Sequence, residues 1–142
     1  MKFIVKGLLI STLIIFIFSN RAKSQNNSLN NCINLINTEG YVSDGQEYKT
    51  KVDENNKARF LTTFYGGSYY RIAACSNATN SKVTITVFDT EKNPLFCNKD
   101  FNYIPYWNFK FTSTIDCIVE VEFEKGELIK DEVMLLIGFK EK

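Results

Sequence analysis

The apolar residues of this 142-residue chain fall into three regimes: an unbroken run at the start, a short stretch of helical spacing, and a long succession of alternating segments. Leu29, Cys32, Ile33 and Ile36 recur at i, i+3, i+4 and i+7, the spacing of one helical face. Thr38, Glu39 and Gly40 then close the pattern. Downstream the period is two. "ARFLTTFY" places Ala58, Phe60, Thr62 and Phe64 on one side. "YYRIAAC" turns Tyr70, Ile72 and Ala74 one way and Tyr69, Arg71, Ala73 and Cys75 the other. Val83, Ile85 and Val87 share a face, as do Trp107, Phe109 and Phe111. "DCIVEVEFE" sets Cys117, Val119, Val121 and Phe123 against Asp116, Glu120, Glu122 and Glu124. "VMLLIGF" is apolar on both parities, as a strand covered on both faces is.

Short strands separated by turn signals such as "SDGQ", "YGGS" and "TEKNP" predict an all-β protein of two packed antiparallel sheets. The expected fold is a single antiparallel β-sandwich, jelly-roll-like, over residues 25–142, with one short N-terminal helix packed outside. "YGGSYY" has paired glycines but no helix start behind it, so it reads as a hairpin turn and not as a phosphate loop.

The opening run changes the compartment. Lys2 and Lys6 precede the apolar "GLLISTLIIFIFS", and "NRAKSQ" follows with Ala22 and Ser24 as the small pair. This is the build of a secretory signal over residues 1–24, with cleavage after Ser24, and the apolar run is shorter than the roughly 20 residues a spanning helix needs. "LNNC" at Leu29 to Cys32 resembles a lipid-attachment motif only in its leucine and cysteine, since asparagines occupy the positions that want small residues. Loss of Lys2, Lys6, Arg21 and Lys23 takes the 17 basic side chains to 13 against 16 acidic ones, and the formal charge from +1 to −3. A nucleic-acid partner would leave a basic footprint, and no charge block offers a membrane tether.

The chain contains no histidine, which removes Ser-His-Asp and Cys-His catalysis and histidine-containing zinc sites. Its four cysteines, Cys32, Cys75, Cys97 and Cys117, are widely spaced with no CxxC motif. In an exported chain they read as disulfides, with a four-thiolate zinc site a poor second.

Few residues suggest chemistry. "FNYIPYWNF" packs five aromatics into nine positions. Trp107 belongs by parity to the core face, whereas Phe101, Tyr103 and Tyr106 lie around Pro105 in a loop, where they either bind a sugar ring or a protein or fold over the end of the sandwich. Glu120 and Glu122 share a strand face at roughly 7 Å, near the spacing of glycosidase carboxylates, but Asp116 and Glu124 continue the stripe as an ordinary wet face does. "DTEKNPLFCNKDFN" offers Asp89, Asn93 and Asp100 as oxygen ligands for calcium, with Glu91, Asn98 and Asn102 nearby; turn chemistry accounts for the same residues.

"TTFYGGSYYRIAAC", "VFDTEKNPLF", "YWNFKFTST" and "LLIGFK" together resemble a family of small exported bacterial β-sandwich proteins of unassigned activity, and more loosely the pre-peptidase C-terminal sandwich domains of secreted enzymes. The resemblance implies a sandwich and an extracytoplasmic home and brings no catalytic residue. It departs at the last strand, where the family often has a preceding cysteine and "DEVMLL" has none. The two periodicities predict the pairs instead. Cys75 shares the outer parity of Arg71 and Ala73, where small Ala73 leaves room for the helix bearing Cys32; Cys97 and Cys117 share parity with Leu95 and Val119 and should both point inward. The expected bonds are Cys32–Cys75 and Cys97–Cys117.

These observations point to an exported, secreted or periplasmic, non-catalytic module that recognises a glycan or protein. A structural or assembly subunit of an envelope complex is the alternative, and a histidine-free hydrolase acting through Glu120 or Glu122 a distant third.

Overall fold

A computed structural model of the chain describes residues 32–76, 82–124 and 132–140. The expected signal sequence and Leu29 lie outside the described residues. Helix α1 covers residues 32–36. Nine strands follow among the described residues: β1 (Val42–Ser43), β2 (Tyr48–Lys51), β3 (Lys57–Phe64), β4 (Tyr69–Ser76), β5 (Val83–Asp89), β6 (Pro94–Cys97), β7 (Tyr106–Lys110), β8 (Ile115–Phe123) and β9 (Glu132–Lys140).

One sheet runs β1-β9-β4-β7, with β2 continuing β1 along β9, and the other runs β3-β8-β5-β6. All pairings are antiparallel. Apart from the β5–β6 hairpin, each step along the chain from β2 to β9 crosses between sheets. This is the interleaving of two Greek keys that defines a jelly roll, so the expected fold is the observed one.

The inner faces follow the period-two reading closely. Ala58, Phe60, Phe64, Ile72, Ile85, Val87, Cys117, Val119, Val121 and Phe123 meet Val133, Leu135 and Ile137 of β9 in one core. The outer side of β9 is covered as well: Leu136 packs with Ala73, Cys32 and Ile36 under α1. The helix approaches so closely that a Cβ on Gly138 would stand 2.7 Å from Ile36 Cγ2, which is why the strand carries a glycine there. The Cys32–Cys75 disulfide closes this contact across 6.1 Å between Cα atoms, in the range natural bridges occupy.

Two expectations are corrected. "YGGS" is no hairpin: β3 pairs with β8 while β4 pairs with β7 and β9, so residues 65–68 arch from one sheet to the other. The arch lies against its neighbour, with Gly67 N–H donating to Phe111 O and a Cβ at Gly66 meeting Ser113 Cα at 2.8 Å.

Cys97 and Cys117 are not bonded. A register shift at Val87/Phe88 moves β6 by one, so that Phe96 packs on the core while Leu95 is exposed and Cys97 sits opposite Thr86. Cys97 thus projects from the outer face, beside Thr86 Oγ1 at 3.6 Å. Cys117 points inward from β8, on the far side of β5. Thiols on opposite faces of two strands separated by a third cannot meet without moving the backbone.

Candidate functional site

The sandwich has two open seams, one between edge strands β2 and β3 and one between β6 and β7. The first holds a cleft of about 500 Å³. It exists because the edge strand breaks. Ser43 pairs with Gly138 and Tyr48 with Leu135, so residues 44–47 face only Leu136 and Ile137 of β9. The surplus loops outward, with Gly45 at φ +77°, and Asp44 N–H donates to Ile137 O at 3.0 Å. Asp44 is thereby held over the seam.

Phe64, Ile137 and Tyr70 floor the cleft, while Leu61, Tyr65 and Phe139 form its apolar rim. Asp44, Gln46, Tyr48 and Thr62 make the polar wall. The Asp44 carboxylate accepts from Gln46 N–H at 2.9 Å and from Tyr48 Oη at 3.4 Å. Burial, then the negative charge of Asp44, raises the Tyr48 phenol above its ordinary value, so it is a neutral donor at physiological pH. Tyr70 Oη accepts from Tyr65 N–H at 3.0 Å, which anchors the backbone of a tyrosine that is 64% exposed.

None of these residues stood out from spacing alone. Thr62 carried a signal: it is the polar member of an otherwise apolar inward series between Phe60 and Phe64, and a polar group facing a core needs a partner or water.

The aromatic loop does not assemble into one platform. Phe101 stacks at the opposite seam, 4.3 Å from Trp107 and 5.8 Å from Phe96 between centroids. Tyr103 lines a separate groove at the β4–β5 end, with Lys82 Nζ 5.3 Å from its ring. Tyr106 turns to the outer face, 4.4 Å from the Arg71 guanidinium. Trp107 lies on the inner parity as expected, opposite Ile72, but only half-buried beside Phe96 at 4.6 Å.

The carboxylate pair is engaged. Glu120 accepts from Lys57 at 2.8 Å and Arg59 at 2.7 Å, and Glu122 lies 3.3 Å from Lys57. These are cross-strand partners on β3 and β8, the pairing expected of a solvated sheet face.

Asp89 and Asn93 do come together, but to build a turn. The Asp89 carboxylate accepts from Asn93 N–H and Nδ2, both at 2.8 Å, and these bonds lower its pKa. Asp100 stands in the 3-10 turn Asn98–Phe101, away from that hairpin. Asn98 is buried and structural: its Oδ1 accepts from Ile85 N–H while its Nδ2 donates to Val83 O and Ile104 O. Among the described residues no group of three or more carboxylates and cysteines is arranged to hold a metal ion, and no helix is long and apolar enough to cross a membrane.

No protein-family model matches the chain, and no curated protein matches its sequence.

Proposed function

We propose that this is an exported, non-catalytic recognition module that takes its ligand in the cleft between β2 and β3. The observation that carries the reading is the convergence, in one concave site, of an exposed tyrosine on an anchored backbone with a carboxylate held over the seam. Binding sites combine an apolar surface with a few placed polar groups in this way. The tripartite N-terminus and a disulfide between Cys32 and Cys75 support an oxidising, extracytoplasmic home, as does the resemblance to small exported sandwich proteins. The carboxylates best spaced for hydrolysis are occupied by Lys57 and Arg59, which favours binding over catalysis. Pull-downs from native envelope with the parent and Tyr65→Ala test the reading: a ligand captured by the parent and lost with Tyr65 supports it, whereas equal capture by both overturns the assignment to this cleft.

One observation favours the assembly-subunit alternative. On the outer face of the second sheet Leu61, Ile118, Phe88 and Pro94 lie opposite one another in a row across four strands, with Leu61 78% exposed and Leu95 beside the row 47% exposed. A continuous apolar band of this kind marks an interaction surface. If it is the functional surface, Leu61→Lys abolishes co-purification with an envelope partner and Tyr65→Ala does not.

A further inference from the structure

We propose that the β2–β3 cleft binds a neutral hexopyranose, with Tyr65 as the stacking platform and Asp44 as the acceptor of two sugar hydroxyls. The inference rests on the recognition reading above and adds the ligand class.

The lining selects against charge. Among the described residues that line the cleft, Asp44 is the one charged side chain and none is a lysine or arginine. An anionic ligand would meet Asp44 with no compensating cation. What the site does offer is an apolar surface at one end and hydrogen-bonding atoms at the other, and a pyranose has that polarity: one ring face presents C–H groups, and the rim presents hydroxyls that both donate and accept. Aromatic side chains are suited to such ligands because they combine an apolar face with a polar tip.

The hydrogen-bond inventory is consistent. An ionised carboxylate has about four lone-pair positions, and Asp44 uses one on Oδ1 for Gln46 N–H and one on Oδ2 for Tyr48 Oη. Each oxygen keeps a position for a ligand hydroxyl. Tyr70 Oη accepts from Tyr65 N–H, which leaves its own hydrogen to donate to a ring or hydroxyl oxygen. The Gln46 amide supplies a further partner on the same wall, while the Thr62 side chain is hydrogen-bonded to Tyr48 and helps fix it.

The platform is also pre-set. Tyr65 is tied by Tyr70 on one side, and the next two residues are tied by Gly66 N–H to Thr114 Oγ1 at 3.2 Å and Gly67 N–H to Phe111 O at 2.8 Å. Only side-chain torsions remain to be ordered on binding, which keeps the entropic cost low.

The competing small ligand is an organic cation held between Asp44 and the tyrosine rings. The test is a titration of the disulfide-bonded protein with methyl glucoside, galactoside and mannoside and N-acetylglucosamine, and in parallel with glucuronate and choline, read by saturation-transfer NMR and calorimetry. The parent should bind at least one neutral sugar. Tyr65→Ala should abolish that binding and Asp44→Asn should weaken it about tenfold or more, both at an unchanged melting temperature, with Phe101→Ala as a binding-competent control. Tyr65-dependent binding of choline or glucuronate alone overturns the sugar class while leaving a recognition cleft standing. Sugar binding that survives both substitutions, or no binding of any probe, overturns the proposal. The envelope pull-down with Tyr65→Ala separately decides the broader reading.

Discussion

The guanidinium of Arg71 lies 4.4 Å from the ring centroid of Tyr106, and the Arg71 side chain is wholly buried although it projects from the outer face of its sheet. The ring of Tyr41 lies 4.3 Å from the same group. Arg71 donates to Leu35 O, Thr38 Oγ1, Glu39 and Asn108 Oδ1, so a planar fork set among rings joins the helix end, the loop after it and strand β7. Arg71→Met removes the charge-assisted hydrogen bonds of a buried cation to acceptors that are exposed or half-buried, a loss of about 3 kcal/mol, or a fall of roughly 10 °C in melting temperature. Thermal unfolding of the variant checks this; a melt matching the parent would show that the network contributes nothing.

The Cys32–Cys75 bond spans 43 residues, a loop whose closure stabilises by about 4 kcal/mol on chain-entropy grounds. Reduction should loosen α1 while the sandwich stays folded, because the main core lies between the sheets and does not include Cys32 or Ile36. Arg71 still grips Leu35 and Thr38, so the helix should remain docked part of the time. Hydrogen exchange under reducing conditions should speed up around residues 33–41 with β3, β8 and β5 protected. Uniform acceleration across both sheets would mean that the bond supports the whole fold.

Much of this arrangement was legible in the sequence. The face shared by Cys32 and Ile36, the outward parity of Cys75 and the small Ala73 sufficed to place the helix and its disulfide. Alternation failed where it had too few residues to work with: β6 has four, and the shift at Val87/Phe88 exchanged Phe96 for Leu95 and Cys97. Parity also gives a face and not a depth, so Trp107 was placed on the right side but not at the seam. The cleft was out of reach for another reason. It brings Asp44 to Tyr65 through the pairing of β2 and β4 with β9, a long-range relation that no local pattern contains.

Depth decides the cost of losing an aromatic ring. Phe64 is fully buried and stacks 4.8 Å from Phe111, so Phe64→Ala should cost about 3–5 kcal/mol. Trp107 lies at the seam, outside the main core, and its truncation should cost about half that, in the range of roughly 1–3 kcal/mol. Parallel urea titrations rank the two, and Trp107→Ala proving the more damaging would contradict the seam placement.

The two free thiols should behave differently. Cys97 is half-exposed, whereas Cys117 is 1% exposed, and its thiol is pushed up to about 11 chiefly by burial, with Asp116 and Asp89 adding to it. Iodoacetamide at about pH 8 needs a thiolate, so the native protein should be alkylated at Cys97 alone, and Cys117 should react only after unfolding. A Cys97–Cys117 peptide in non-reducing mapping would refute both the observed geometry and this expectation.

Glu120 and Lys57 give a pH dependence whose sign can be worked out. Burial raises the Glu120 carboxyl, but hydrogen bonds from Lys57 and Arg59 outweigh it and hold the pKa below 4.5. A depressed carboxylate contributes stability above its unfolded pKa and loses it as pH falls through the folded one. Lys57 is raised above 10.5, first by its bond to Glu120, so its share is full below that value and is lost as pH rises through the folded pKa. The pair therefore stabilises across a plateau bounded by acid on one side and alkali on the other. Both partners are partly exposed, which limits the contribution to about 1 kcal/mol. Glu120→Gln should lower stability by that amount near neutrality. The gap to the parent should narrow at an acidic pH low enough to protonate the native carboxylate. Urea denaturation of both proteins at the two pH values measures it, and a gap that widens on acidification would mean that Glu120 is not held ionised by Lys57 and Arg59.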